Sequence, residues 1–183
     1  MRIKRSIALA VAPLSLLAAC TSSEPPPDTR PLGNVTQAPL ECDLISANAI
    51  QIATGLDDYK AFGTKMDMGR RFESCTVSEK PDQEDDRGLM IEIFEPSPTS
   101  PEGLENTKVS AQGKDLPGGL GPGFAARRKN EQDQTIAFVY GWTPDHKRLL
   151  SINIIEGAPG RDSLADATEF FRQLKPILLD KPA

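Results

Sequence analysis

Only one histidine, His146, occurs in 183 residues, and that scarcity narrows the chemistry. Any metal site or Ser-His-Asp arrangement that draws on histidine has to use His146. That residue sits in Thr143-Pro144-Asp145-His146-Lys147, a turn between two apolar runs. Neither a Gly-x-Ser-x-Gly elbow nor a Ser-x-x-Lys motif accompanies it, so it reads as an exposed turn histidine. Long apolar runs are missing too. The stretch Ile7 to Leu17 covers eleven residues and is broken by Pro13 and Ser15, short of the ~20 that a membrane-spanning helix needs. Basic charge is in deficit, with 21 Lys and Arg against 26 Asp and Glu. That balance disfavours nucleic acid as a partner and rules out a polybasic grip on anionic lipid.

What is present begins with a three-part leader: basic Arg2, Lys4 and Arg5, the apolar stretch, and small residues before Cys20. The box Leu17-Ala18-Ala19-Cys20 matches the cleavage and lipid-attachment site of exported bacterial lipoproteins. The expected processing removes residues 1–19 and places a lipid on Cys20. Without the leader's three basic residues, 18 of the 21 remain against 26 acidic ones, a net charge of −8. Cysteine parity agrees with this reading. Three cysteines in an exported chain leave one unpaired thiol. A lipid on Cys20 removes the remainder, leaving Cys42 and Cys75 as the possible pair in an oxidising compartment. A disulfide between them closes a loop of roughly 34 residues, worth about 3 to 4 kcal/mol in the chain-entropy model. The alternative is two separate buried thiols.

Residues 20–40 hold Pro25, Pro26, Pro27, Pro31 and Pro39 among Ser, Thr, Gly and Asn. This composition predicts a lipidated tether with too little apolar surface to order itself. Residues 41–180 then suffice for a single domain.

Within that domain Ser46 reads as the cap of a short helix over residues 47 to 54, stapled by Ile45 and Ile50 and stopped by Gly55. The runs Phe72 to Val77 and Leu89 to Phe94 read as a hairpin. The acidic segment between them, with Asp82, Glu84, Asp85 and Asp86, lacks the ligand spacing of a calcium loop. Ser100 to Ala111 reads as a weak helix, capped by Ser100 with Pro101 at its first position. The glycine-rich stretch Leu116 to Gly123 leads into a strand, so it reads as a turn and not a phosphate cradle. Phe124 to Lys129, Thr135 to Trp142 and Arg148 to Ile155 form an antiparallel meander. Leu164, Ala167, Phe171, Leu174 and Leu178, widened by Phe170 and Ile177, mark an amphipathic closing helix capped by Asp162 or Ser163. Pro176 is expected to end or kink it. The resulting expectation is an α+β fold: an about five-stranded, mostly antiparallel sheet, helices packed chiefly on one face, and one disulfide.

No motif names a catalytic residue, and none supports a metal site or a cofactor. Ile136, Phe138, Tyr140 and Trp142 share one face of their strand, with Ala137 and Val139 on the other. Phe138, Tyr140 and Trp142 are therefore candidates for a ligand face, although packing against a helix is the plainer reading. Glu92, Glu95, Asp115, Asp145 and Glu156 are the carboxylates that an acid and base pair would draw on. Arg127, Arg128 and Lys129 read as a charged strand edge that discourages pairing.

The lipobox, the proline-rich tether, Cys42-Asp43-Leu44-Ile45-Ser46 opening a short helix, Cys75, the Leu116-Pro117-Gly118-Gly119-Leu120-Gly121 turn before Phe124-Ala125 and the closing amphipathic helix together resemble the actinobacterial lipoproteins grouped as the domain of unknown function 3558 family. The resemblance spans nearly the whole mature chain. It implies size, disulfide and location at the outer side of the cell membrane, and it carries no catalytic residue. The functional expectation is a lipid-anchored, non-enzymatic binding module for an envelope protein or small ligand. An exported hydrolase using carboxylates and a purely structural envelope protein are the alternatives.

Overall fold

The computed structural model describes residues 25–67, 71–80 and 87–181. The leader, the lipobox with Cys20, and most of the acidic segment after Pro81 lie outside the described residues. The elements run in the order β1 (Leu40–Glu41), β2 (Ile45–Ser46), α1 (Ala47–Thr54), β3 (Lys60–Asp67), β4 (Arg71–Ser78), β5 (Gly88–Glu95), α2 (Pro101–Ser110), β6 (Lys114–Asp115), β7 (Gly123–Lys129), β8 (Thr135–Trp142), β9 (Leu149–Ile155) and α3 (Ser163–Leu178). Seven strands form one antiparallel sheet in the order β3-β4-β5-β9-β8-β7-β6, and β1 pairs separately with β2. The fold is α+β, with a disulfide between Cys42 and Cys75.

Local chemistry sets the element ends. Gly55 closes α1 in the left-handed region at φ 70°, where its N–H donates to the Gln51 carbonyl, a conformation that glycine adopts without steric cost. The Ser100 hydroxyl accepts from the Gly103 N–H, with Pro101 at the first helical position of α2. The Asp162 carboxylate accepts from the Leu164 and Ala165 N–H groups at the start of α3. Pro176 ends no turn early: α3 runs two residues past it, to Leu178.

The larger core lies between one face of the sheet and the helices α1 and α3. Cys75, Val77, Leu89, Ile91, Ile93, Leu150, Ile152, Ile154 and Val139 meet Ile50, Ala53, Phe170, Phe171 and Leu174, all of them buried. The small row Ala137, Val139 and Gly141 on β8 receives α3. A Cβ at Gly141 would stand 2.2 Å from the Phe171 ring, so the helix seats where a side chain is missing. The disulfide follows the same logic. Gly63 on β3 pairs with Cys75, and a Cβ there would lie 3.2 Å from the Cys42 Cβ.

The closing helix covers the small row of β8, and α2 with its C-terminal turn approaches the opposite, aromatic row. Two sequence expectations need correction. The main sheet has seven strands, not five, because β3 and the two-residue β6 extend its two sides. Last, the segment expected to be a free tether is docked well before Leu40. Leu32 and Val35 are buried in the larger core, Gln173 of α3 accepts from the Val35 N–H and donates to the Gly33 carbonyl, and Arg161 donates to the Arg30 carbonyl. Two apolar side chains and a row of backbone partners suffice to order a stretch whose average composition argues against order.

Filling the Gly141 notch tests the helix seat. Gly141→Ala should lower stability by about 1–3 kcal/mol through overpacking, read as a shift in the denaturant midpoint at unchanged slope.

Candidate functional site

Alternation along each strand sends half of the side chains to the sheet's second face, and register lines them up in rows across the strands. One row reads Thr64, Ser74, Glu92, Ser151, Tyr140, Phe124. It is flanked by Met66, Phe72, Phe94, Leu149, Trp142 on one side and by Phe62, Thr76, Met90, Asn153, Phe138, Ala126 on the other. The β7 and β8 end is closed. There Phe124, Ala126, Ile136 and Phe138 are buried under Ala111 at the end of α2, with Tyr140 and Trp142 half-buried at the margin. The β3, β4 and β5 end is open. Phe62 and Met66 are 49% and 52% exposed, and the Phe72 and Phe94 rings pack at 5.0 Å between centroids.

A polar strip crosses this apolar face. Glu92 is half-buried, with no hydrogen bond or ion pair to another described residue, and burial pushes its carboxyl above the ordinary glutamate range. Beside it, Asn153 donates to the Ser151 hydroxyl at 2.9 Å, both residues being buried. At one margin of the face a shallow cavity of about 350 Å³ is lined by Phe62, Thr76, Ser78, Met90 and Ile155 among others. The Ser78 hydroxyl at its wall is buried without a hydrogen-bond partner. Such a group is paired in most folded proteins, so an orphan calls for an explanation. Ser78 pairs with Gly88, four residues along β5 from Glu92, or about 13 Å at ordinary strand rise. The face therefore offers two unsatisfied polar groups separated by an apolar floor.

The candidates read from sequence divide across this face. Phe138, Tyr140 and Trp142 do lie on it, but at the closed end, where Phe138 is 3% exposed and packs against Phe124 at 6.0 Å. The candidate carboxylates do not converge. Glu95 lies beside Arg148 at 3.8 Å, Asp115 is held by Lys108 at 2.6 Å, and Asp145 accepts from Thr143 and Lys147. Glu156 accepts from the Thr135 N–H. Glu95 stands three residues from Glu92 on β5, about 10 Å along the strand and on the alternate face, and Asp115, in Glu92's own row, is four strand spacings away, about 19 Å. His146 stacks on Trp142 at 6.0 Å between centroids, and its neighbour Asp145 is engaged elsewhere. Arg127 pairs with Asp162, and the Arg128 guanidinium lies 5.6 Å from the Phe138 ring centroid. Among the described residues no group of three or more His, Cys, Asp or Glu is placed to hold a metal ion, and no helix is long and apolar enough to cross a membrane. Sequence reasoning missed Phe62, Met66 and Ser78. The first two sit on an unrecognised strand, and a lone serine at a strand end carries no signal.

No protein-family model, curated protein or solved structure matches the chain.

The raised pKa of Glu92 has a defined sign in stability. The folded state keeps a proton that the unfolded chain releases near the ordinary value of 4.5, so the stability from that proton is full at low pH and is lost as pH rises through the folded value. Glu92→Gln should therefore melt higher than the parent chain at pH 7, and the difference should vanish below about pH 4. Paired thermal melts at the two pH values measure it.

Proposed function

We propose that this chain is an exported, lipid-anchored, non-enzymatic binding module that holds its ligand on the open half of the second sheet face. The observation that carries the reading is the pairing of exposed Phe62 and Met66 with the unpartnered Glu92 on one continuous surface. Exposed apolar area of this kind on a soluble domain marks a binding surface. A half-buried carboxylate inside it selects a ligand with a cationic or hydrogen-bond-donating group. The ligand class is thus an elongated apolar molecule or segment bearing an amine, lying along the apolar rows beside Glu92. The separation of the candidate carboxylates supports binding over hydrolysis, since acid and base catalysis needs its partners within reach of one bond.

The lipobox Leu17-Ala18-Ala19-Cys20 and the resemblance to the actinobacterial lipoproteins of the 3558 family support the location at the outer side of the cell membrane. Anchoring then rests on acyl chains, since the acidic mature chain offers no polybasic contact.

Trp142, the only tryptophan, lies on the same sheet face and reports on it. Titrating the protein with decylamine should shift Trp142 emission at concentrations at least ~10-fold lower than decanoate requires, and Glu92→Gln should abolish that preference. Equal responses to the two probes would sink the ligand assignment. Anchoring is tested separately: Cys20→Ala should move the protein from the membrane fraction to the soluble fraction with the Cys42–Cys75 disulfide intact, and continued membrane retention would overturn it.

A further inference from the structure

The sheet ends in two edges that differ in kind. On one side β6 is only two residues long, and past it β7 runs out as Arg127-Arg128-Lys129, exposed and charged. Short strands and flanking basic residues are the usual protection against unwanted strand pairing. On the other side β3 presents eight residues and is exposed at nearly every position. Its backbone pairs with β4 on one side only, and no hydrogen bond to another described residue leaves its outer side. Among the described residues four large apolar side chains stand exposed, and two of them are Phe62 and Met66 on this strand.

These two side chains lie on the same face, evenly spaced about Thr64. We infer that the β3 edge pairs antiparallel with the β3 edge of a second copy of this chain, about a two-fold axis through Thr64. In that register Thr64 opposes its own counterpart, Phe62 opposes the partner's Met66, and Met66 opposes the partner's Phe62. On the other face Gly63 meets Lys65, and Ala61 meets Asp67, so no like charges stand directly opposite. Shifting the axis to Gly63 places Met66 against Lys60, and shifting it to Lys65 sets that lysine against itself. Only the Thr64 register joins both exposed apolar side chains in cross-strand pairs, the unit from which sheets draw their stability. The second face then becomes continuous across fourteen strands, and each copy's Met66 adds to the apolar margin where the other's Phe62 lines the shallow cavity. This pairing does not depend on the amine-binding reading of Glu92.

The test uses the full chain in isolated membranes under mild oxidation. Thr64→Cys should give a covalent dimer at least ten times more abundant than Val109→Cys, a control at an exposed site on α2. Differently tagged Phe62→Cys and Met66→Cys chains should cross-link to each other when mixed, and neither to itself. Phe62→Thr placed in the Thr64→Cys background should weaken association by about 5- to 30-fold, the loss of two symmetric cross-strand pairs. Thr64 is exposed, and an intact Cys42–Cys75 bond in each variant confirms folding. Cross-linking of Thr64→Cys no better than Val109→Cys would overturn the inference. So would capture of a different protein in place of a second copy, which would assign the edge to a foreign strand.

Discussion

Everything that faces solvent in this fold follows from where α3 is able to seat. A helix that carries Phe170 and Phe171 needs a shallow trough, and β8 offers it on one side only, where Ala137, Val139 and Gly141 form a row of small side chains. The opposite row of the same strand, Ile136, Phe138, Tyr140 and Trp142, is too bulky to admit a helix of that girth at close range. Once the Phe171 ring fills the place a Gly141 side chain would take, α1 and the disulfide loop complete the cover on that side. The second face is left to α2, which buries a single leucine, Leu104, and reaches no farther than the β7 and β8 end. Helix placement on one face thus creates the open surface on the other.

A second constraint acts at the chain's entry. Arg161 is almost fully buried, with both Asp166 oxygens as partners at 2.6 and 2.7 Å, the Asp28 carboxylate at 3.3 Å and the Arg30 carbonyl at 2.8 Å. A buried guanidinium stays charged, so its burial is tolerated only when its donors are filled, and the incoming segment completes that set. Asp28 gains in return, since its hydrogen bonds with Arg30 hold its carboxyl well below the ordinary range. The stretch between Cys20 and this clamp is only eight residues long, roughly 25 Å when extended. Attachment at Cys20 would then leave the domain a short leash, with the α3 N-terminus and residues 25–28 toward the anchor.

Much of this architecture is legible in the sequence because its signals are periodic or countable. The three- and four-residue spacing from Leu164 to Leu178 and the alternating runs of the meander each correspond to one physical arrangement, and the three cysteines point to the Cys42–Cys75 pair that the structure contains. What escapes is what lacks a pattern. Strand β3, Lys-Ala-Phe-Gly-Thr-Lys-Met-Asp, is an edge exposed on both faces, so no burial imposes alternation on it. Leu32 and Val35 are isolated apolar residues in a proline-rich stretch, and a composition average hides two anchors. On β8 both rows are apolar, and the choice of face was decided by side-chain volume, which hydropathy does not encode. The candidate ligand residues Phe138, Tyr140 and Trp142 accordingly lie on the second face, at its closed end. Glu92 could be named only as one carboxylate among several, because the row it belongs to is assembled from six strands in two sequence blocks.

That row explains why the second face remains open. A sheet face of Phe62, Met66, Phe72, Met90 and Phe94 alone would be a core waiting for a helix. The strip of Thr64, Ser74, Glu92 and Ser151 through its middle changes the balance, since covering Glu92 with apolar side chains would bury a charge without a partner, at a cost above the gain from the flanking rows. The half-buried carboxylate thereby opposes cover by the chain's own helices, which bring no donor to it. Desolvation raises the proton affinity of Glu92, and on the proposed amine-binding reading a charge-assisted hydrogen bond in that half-dry setting would offset the desolvation cost.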